Sequence, residues 1–539
     1  MMKKTTSKTG RSGKERRVGL WAVSLIVSLQ VVGLVLFSMA TPVPVGAKTF
    51  VVNSTSDETD TDPGDGVCSS NSGYCTLRAA IQEANALFGP DVIKLRTGLY
   101  MLGIPGISEN ESATGDLDIT DDLTITGTGA KNTFINGGKL DRVFHIIGST
   151  ISVAITDVTI QNGLATDGFT AGYSVGGGIS NESGTLTLKG INISDNAASG
   201  GDYAFGGGIY NSGTLTITKS TLSNNVARGI NQGAGGGVFN SGTLTIKGNT
   251  LLSMNVASGV GANSYGDGGG VFNAGTLTFI KSTLSNNVAS GVGVGDGGGI
   301  YNHGTSTVTG STITHNMAGG PGMGYGGGIL NGGNPDRTLT VTGSTISNNS
   351  ALGIGGAGLG GGIHNGNGEP LTVTESTLSN NTSAGPHAVG GGISNYDGPL
   401  TVTGSTLFNN TASGLAGLSH GGGIYAESTT LMVKGSKISN NTASGSDEGR
   451  GGGICGESSD VTVDSSLISG NAASGMDGPG YGGGIFHLGN NLLAVQNRSK
   501  IIKNFASNLG GGVYTEIHPW SSSPDSKVVG NIPTDIEYD

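Results

Sequence analysis

The stretch GGGIYNSGTLTITKSTLSNN occupies residues 206–225, and close copies of it fill most of the chain. Glycine triplets begin at residues 176, 206, 235, 268, 297, 326, 360, 390, 421, 451, 482 and 510, at intervals of 28 to 34 residues. A unit of that size cannot bury its own apolar face, so tandem copies must stack on one another as a solenoid. Inside the unit, Leu215 and Ile217 alternate with Thr214, Thr216 and Thr218. A period of two puts the aliphatics on one face and the threonines on the other, which is a strand. Every triplet is followed at once by Ile or Val, as at Ile209, Val238 and Ile300, and a third strand carries Leu222, Leu284 and Ile313. Three short strands in each coil of about 30 residues predict an all-β fold, a right-handed parallel β-helix. A β-propeller is excluded, because its blades need four strands and about 40–45 residues.

Asparagine recurs at two positions in each unit. One column ends the third strand: Asn196, Asn225, Asn255, Asn287, Asn316, Asn349, Asn381, Asn410, Asn441, Asn471 and Asn504. A second follows the triplet, from Asn181 to Asn395, and is lost at Ala426, Gly456 and His487. Stacked inward amides can bond to the copies above and below, so both columns are expected to be ladders rather than ligand contacts.

Composition agrees. Glycine is 103 of 539 residues and charged residues are 12%, with no Gly-X-Y period, so the chain is not collagenous. Residues 1–47 read as an address, a signal peptide or a signal anchor. Seven Lys/Arg (from Lys3 to Arg17) precede an apolar stretch from Val18 to Ala40, with small-residue cleavage positions at Ala40 and Ala47. The remainder is expected to be secreted or displayed on the cell surface. A membrane would hold it only through an uncleaved leader. The leader takes seven of the 27 Lys/Arg and one of the 38 Asp/Glu, so the exported part is more acidic than the net −11 of the whole. Such a surface repels polyanions, and no nucleic-acid partner is expected.

Residues 48–90 differ from the repeats. Leu77, Ala80, Ile81 and Ala84 fall on one helical face and Thr76 suits an N-cap, which predicts a small helical cap over the first coil. Cys68 and Cys75 lie seven apart in an exported, loop-like segment and are expected to form a disulfide. Cys455 is left as a free thiol or an intermolecular link. Residues 91–175 read as irregular early coils, 176–518 as the repeats and 519–539 as a C-terminal tail.

The run CTLRAAIQEAN from Cys75, after FVVNSTSDETDTDPGDG, resembles the CSLREA domain family of exported proteins with β-helical regions. Ala79 stands where that family has Glu, which removes the returning half of a capping box with Thr76. The repeats are similar to the glycine-rich repeats of polymorphic outer-membrane proteins, which are surface adhesins. These resemblances imply an exported adhesive protein, and neither implies a catalytic residue here.

Candidate chemistry is sparse. One outward position per coil, between the Ile and the Asn, carries Tyr210, Phe239, Phe272, Tyr301, Tyr425, Phe486 and Tyr514, and this column is the candidate ligand-binding surface for a glycan or a surface protein. Asp267 and Asp296 lie one repeat apart but no basic residue joins them, so they read as solvated acidic loops. GYSVG at 172–176 and GLSHG at 417–421 imitate a nucleophile elbow but lack the helix it needs. The eight histidines are scattered, with no HExxH pair, and no metal or cofactor is called for. The leading expectation is a non-catalytic binding or adhesion protein. The alternatives are a polysaccharide lyase or glycoside hydrolase of the pectin-lyase-like type, and a structural spacer.

Overall fold

The computed structural model describes residues 46–539 except 108, 167–171, 334–336, 516–519 and 539. The leader lies outside the described residues, apart from its last two. Among the described residues no helix is long and apolar enough to cross a membrane.

The chain winds into a parallel β-solenoid. One coil is representative. After the triplet at 206–208 comes Ile209–Asn211, the triplet strand, then Thr214–Thr218, the threonine strand, then Thr221–Ser223, the ladder strand. These are the three strands read from the repeat. Each pairs in parallel with its copy in the next coil, as Leu215 with Leu244 and Ile217 with Ile246. The threonine, triplet and ladder sheets contain 16, 15 and 15 strands. Ile209, Leu215, Ile217 and Leu222 are fully buried and stack over their copies as one continuous core.

Two further strands per coil escape the sequence pattern. Val226–Gly229 runs out from the core and Gln232–Ala234 runs back to the next triplet. They form two more parallel sheets of 12 and 11 strands, beginning only at Leu164 and Tyr173. The first coils therefore have three strands, and the coils from Phe144 through the triplet at 451 have five. The two added sheets lie back to back as a thin fin. Its interior is small residues, such as Ala198, Ala204, Ala227 and their copies Ala257 and Ala289 in later coils. A Cβ on Gly233 would meet the Ala227 carbonyl oxygen at 2.3 Å. Side chains this small carry no hydrophobic periodicity, so the fin leaves no trace in the repeat pattern.

The triplet is the hinge between fin and core, and its three glycines answer different demands. Gly206 has φ +68°. Gly207 and Gly208 do not, but a Cβ on Gly207 would stand 2.4 Å from the Val226 backbone, and one on Gly208 would stand 2.6 Å from the Gly237 carbonyl oxygen.

Both asparagine ladders are present. The first runs from Asn181 Nδ2 to Asn211 Oδ1 and on to Asn395, at 2.6–2.8 Å per rung. The second runs from Asn196 through Asn504 to Asn531, at 2.9–3.0 Å. Each second-ladder amide also donates to a core carbonyl, as Asn349 does to Ile313. A serine ladder from Ser282 to Ser499, missed in the sequence, accepts backbone N–H bonds at the start of successive ladder strands.

The cap contains a helix at Leu77–Ala86, with Thr76 as N-cap accepting from Ala79 N–H. The disulfide Cys68–Cys75 is formed. Arg78 is fully buried and ties the cap to the first coils. It pairs with Asp57 at 2.7 Å and donates to the carbonyls of Ser112, Gly115 and Asp116. Thr49–Val51 begins the threonine sheet by pairing with Val92–Lys94. The segment 519–539, read as a tail, instead adds one strand to each of three sheets: Trp520–Ser522, Lys527–Val529 and Ile536–Tyr538.

Candidate groove between fin and core

Two columns of side chains face each other across the triplet corner. One is the outward column of the triplet strand. The other is the last residue of each returning fin strand: Phe205, Ala234, Asp267, Asp296, Tyr325, Leu359, Val389, His420 and Arg450, aligned coil over coil. The columns touch. Phe205 stacks on Phe239 at 4.7 Å between ring centres, Tyr325 on His364 at 5.3 Å, and the Arg450 guanidinium lies 5.1 Å over Phe486.

Where the facing residues are small or acidic the corner opens into a groove. One part, about 550 Å³, is lined by Tyr203, Gln232, Tyr265, Asp267, Phe272 and Tyr301. A second, about 450 Å³, shares Asp296 and Tyr301 and continues past Tyr325 and His364 to Tyr396.

The aromatic column divides at this groove. Tyr210, Phe239, Phe272 and Tyr301 occupy consecutive coils in register and are half-buried. Tyr210 stacks on Phe239 at 5.3 Å and Phe239 on Phe272 at 4.8 Å, within 3° of parallel, while Tyr301 meets Phe272 edge-on. Tyr425, Phe486 and Tyr514 do not share this exposure. They are 3%, 2% and 6% exposed and pack with Cys455, Tyr396, Tyr481 and Leu509. Of the seven rings in the column expected to bind a ligand, the first four stay half-exposed and the other three are buried. The others are closed off because bulky residues replace alanine and aspartate on the facing fin.

Asp267 and Asp296 are not solvated loops. They sit in the groove on adjacent fin strands, paired in register, and Asp267 is 3% exposed. Gln232 Nε2 donates to Asp267 Oδ2, but Oδ1 of each aspartate is buried without a partner. Burial lifts Asp267 to about 7, and burial together with the Asp267 charge lifts Asp296 well above the usual carboxylate range. The same desolvation raises the Tyr301 phenol, aided by both aspartates, and lowers His364 to about 4, so His364 is neutral. The Asp alignment was legible from spacing. Its burial was not, because the fin that covers it was not.

Other sequence candidates settle into the scaffold. Ser174 and Ser419 of the two elbow-like pentapeptides are fully buried on fin strands and donate to the Ser199 and Ala412 carbonyls. Cys455 is a fully buried free thiol, so the intermolecular link is corrected. Toward the N-terminus, Asp118, His145 and Glu182 form a chain at 3.1 and 2.8 Å, and His145 titrates above its ordinary value because its two carboxylate bonds outweigh burial.

No family model matches the chain, and no curated protein matches it. Among solved structures it is similar to the A-module of mannuronan C-5 epimerase AlgE6 of Azotobacter vinelandii. The likeness covers 86% of this chain and 95% of that one, with 12% identity and a TM-score of 0.30, and no residue is carried over from it.

Proposed function

We propose that this chain is an exported β-helical binding protein that holds a neutral glycan in the fin–core groove, in an adhesive role at the cell surface. The observation that carries the reading is the run of half-buried rings from Tyr210 to Tyr301 beside Gln232, Asn263 and Asp267. Rings one strand spacing apart stack sugar faces, and neighbouring amides and carboxyls accept and donate to hydroxyls. The acidic surface disfavours polyanionic chains. The leader supports export, with membrane attachment only if it stays uncleaved. The cap, with Thr76 and Arg78 in structural positions, supports kinship with the CSLREA domain family.

A second reading is a polysaccharide lyase or hydrolase, favoured by the buried Asp267–Asp296 pair. In hydrolysis one carboxyl would protonate the departing glycosidic oxygen while its ionised neighbour, one strand spacing away, attacks the anomeric carbon, and water would then cleave the resulting glycosyl ester.

Retention of the full chain on immobilised neutral polysaccharides, followed by product analysis, separates these readings. Binding should weaken at least tenfold in Phe272→Ala and persist in Ser180→Ala, on the same column but beyond the rings. Shortened chains released by the wild type and not by Asp296→Asn, with binding kept, would establish the enzyme instead. If no glycan is retained, the binding reading fails and the spacer stands.

A further inference from the structure

In the later coils the same corner brings together a different set of groups. His420 ends one returning fin strand, and Cys455 and Glu457 lie on the next coil's triplet strand, Ile454–Glu457. One ligand atom from each lies within 4.8 Å of the other two. His420 Nδ1 is 3.5 Å and Cys455 Sγ 3.8 Å from Glu457 Oε1. The first is too long for a good hydrogen bond, and the second is a weak S–H···O contact. The contrast is Asp118–His145–Glu182, where the groups bond one another directly at 3.1 and 2.8 Å. In a tetrahedral zinc site, with Zn–S about 2.3 Å and Zn–N or Zn–O about 2.0–2.1 Å, ligand atoms stand about 3.3–3.5 Å apart. The His420–Glu457 separation falls at that spacing, the Cys455–Glu457 separation is a few tenths of an ångström wider, and all three atoms lie within 4.8 Å of one another.

The charge balance of the corner points the same way. Glu427 and Glu457 converge here, since the Tyr425 hydroxyl lies 2.6 Å from a Glu427 oxygen and 3.1 Å from a Glu457 oxygen, and Glu448 joins them through Arg450. Among the described residues, Arg450 is the guanidinium paired against them, with Glu448 and, at 3.5 Å, with Glu457. A half-buried corner with three carboxylates and one guanidinium is short of positive charge.

We propose that His420 Nδ1, Cys455 Sγ and Glu457 Oε1 form a binding site for a divalent, borderline-soft metal ion, with zinc as the natural occupant and water completing the tetrahedron. Entry is from the solvent edge, where the His420 and Glu457 side chains remain 12% and 17% exposed. Binding converts the Cys455 thiol to thiolate and releases its proton to solvent, so affinity rises with pH. The site is independent of glycan binding.

Cobalt titration of the full-length chain, with the disulfide intact, tests this. Cys455 is the single thiol outside the Cys68–Cys75 bridge, so a thiolate-to-cobalt charge-transfer band can come only from it. The expected result is a near-ultraviolet band saturating at one equivalent of Co²⁺ and displaced by Zn²⁺. It should vanish in Cys455→Ser, and the cobalt affinity should fall at least tenfold in His420→Gln. No band in the wild type overturns the proposal without any variant. A band of unchanged affinity in His420→Gln overturns the ligand set.

Discussion

Asp267 and Asp296 show how position in a solenoid changes the chemistry of a residue. On a free loop each would be an ordinary ionised carboxylate. Placed one above the other beneath stacked rings, both resist ionisation. Folding then binds a proton that the unfolded chain gives up near pH 4, so the native state loses stability as pH climbs from about 4 to 7. An asparagine side chain in place of Asp267 can keep the Gln232 hydrogen bond without a charge. Asp267→Asn should match the wild type in urea unfolding at pH 3 and exceed it by roughly 1–4 kcal/mol at pH 8. Equal stabilities at pH 8 would mean that the carboxyl is solvated after all.

At the scale of the element, the strands are short and the corners decide. Each rung of the second ladder satisfies a buried amide, a core carbonyl and a backbone N–H together, as Asn349 does between Asn316 and Asn381. Asn349→Ala leaves those groups unpaired in a dry interior and should cost about 2–4 kcal/mol, read as a lower urea midpoint. The triplet fails differently. Gly207→Ala drives a methyl into the Val226 backbone where neither fin nor core can yield. Limited proteolysis should then cut first in the adjoining fin strands at 226–234, with the more distant coils protected.

At the scale of the molecule, coils contact chiefly their neighbours, with Arg337 reaching Ala274 two coils away, so stability is close to a sum of coils and interfaces. Removing residues 360–389, one whole unit from triplet to triplet, joins equivalent positions and keeps every column in register. That variant should retain the strand-rich circular dichroism of the parent and a single unfolding transition. Removing only 360–374 breaks register, turns inward residues outward and should give insoluble protein. Ends are the exception to additivity. The buried Arg78–Asp57 pair and the strand Thr49–Val51 close the first coil, and segment 520–538 continues three sheets at the other end.

The sequence by itself determined the winding. Leu215 and Ile217 alternate with threonine, and a fixed period forces like residues into columns, so the core, both asparagine ladders, the helix after Thr76 and the Cys68–Cys75 bridge could all be read from spacing. The fin could not, because Ala227 and Gly233 pack by having almost no side chain, and smallness leaves no periodic signal. Only the tertiary structure decided which columns face each other. That pairing depends on how far the fin folds back at each triplet, a distance set by backbone contacts rather than residue type. It buried Tyr425 and Phe486, left Phe272 half-open, desolvated Asp267, and brought His420 beside Cys455 from a coil away.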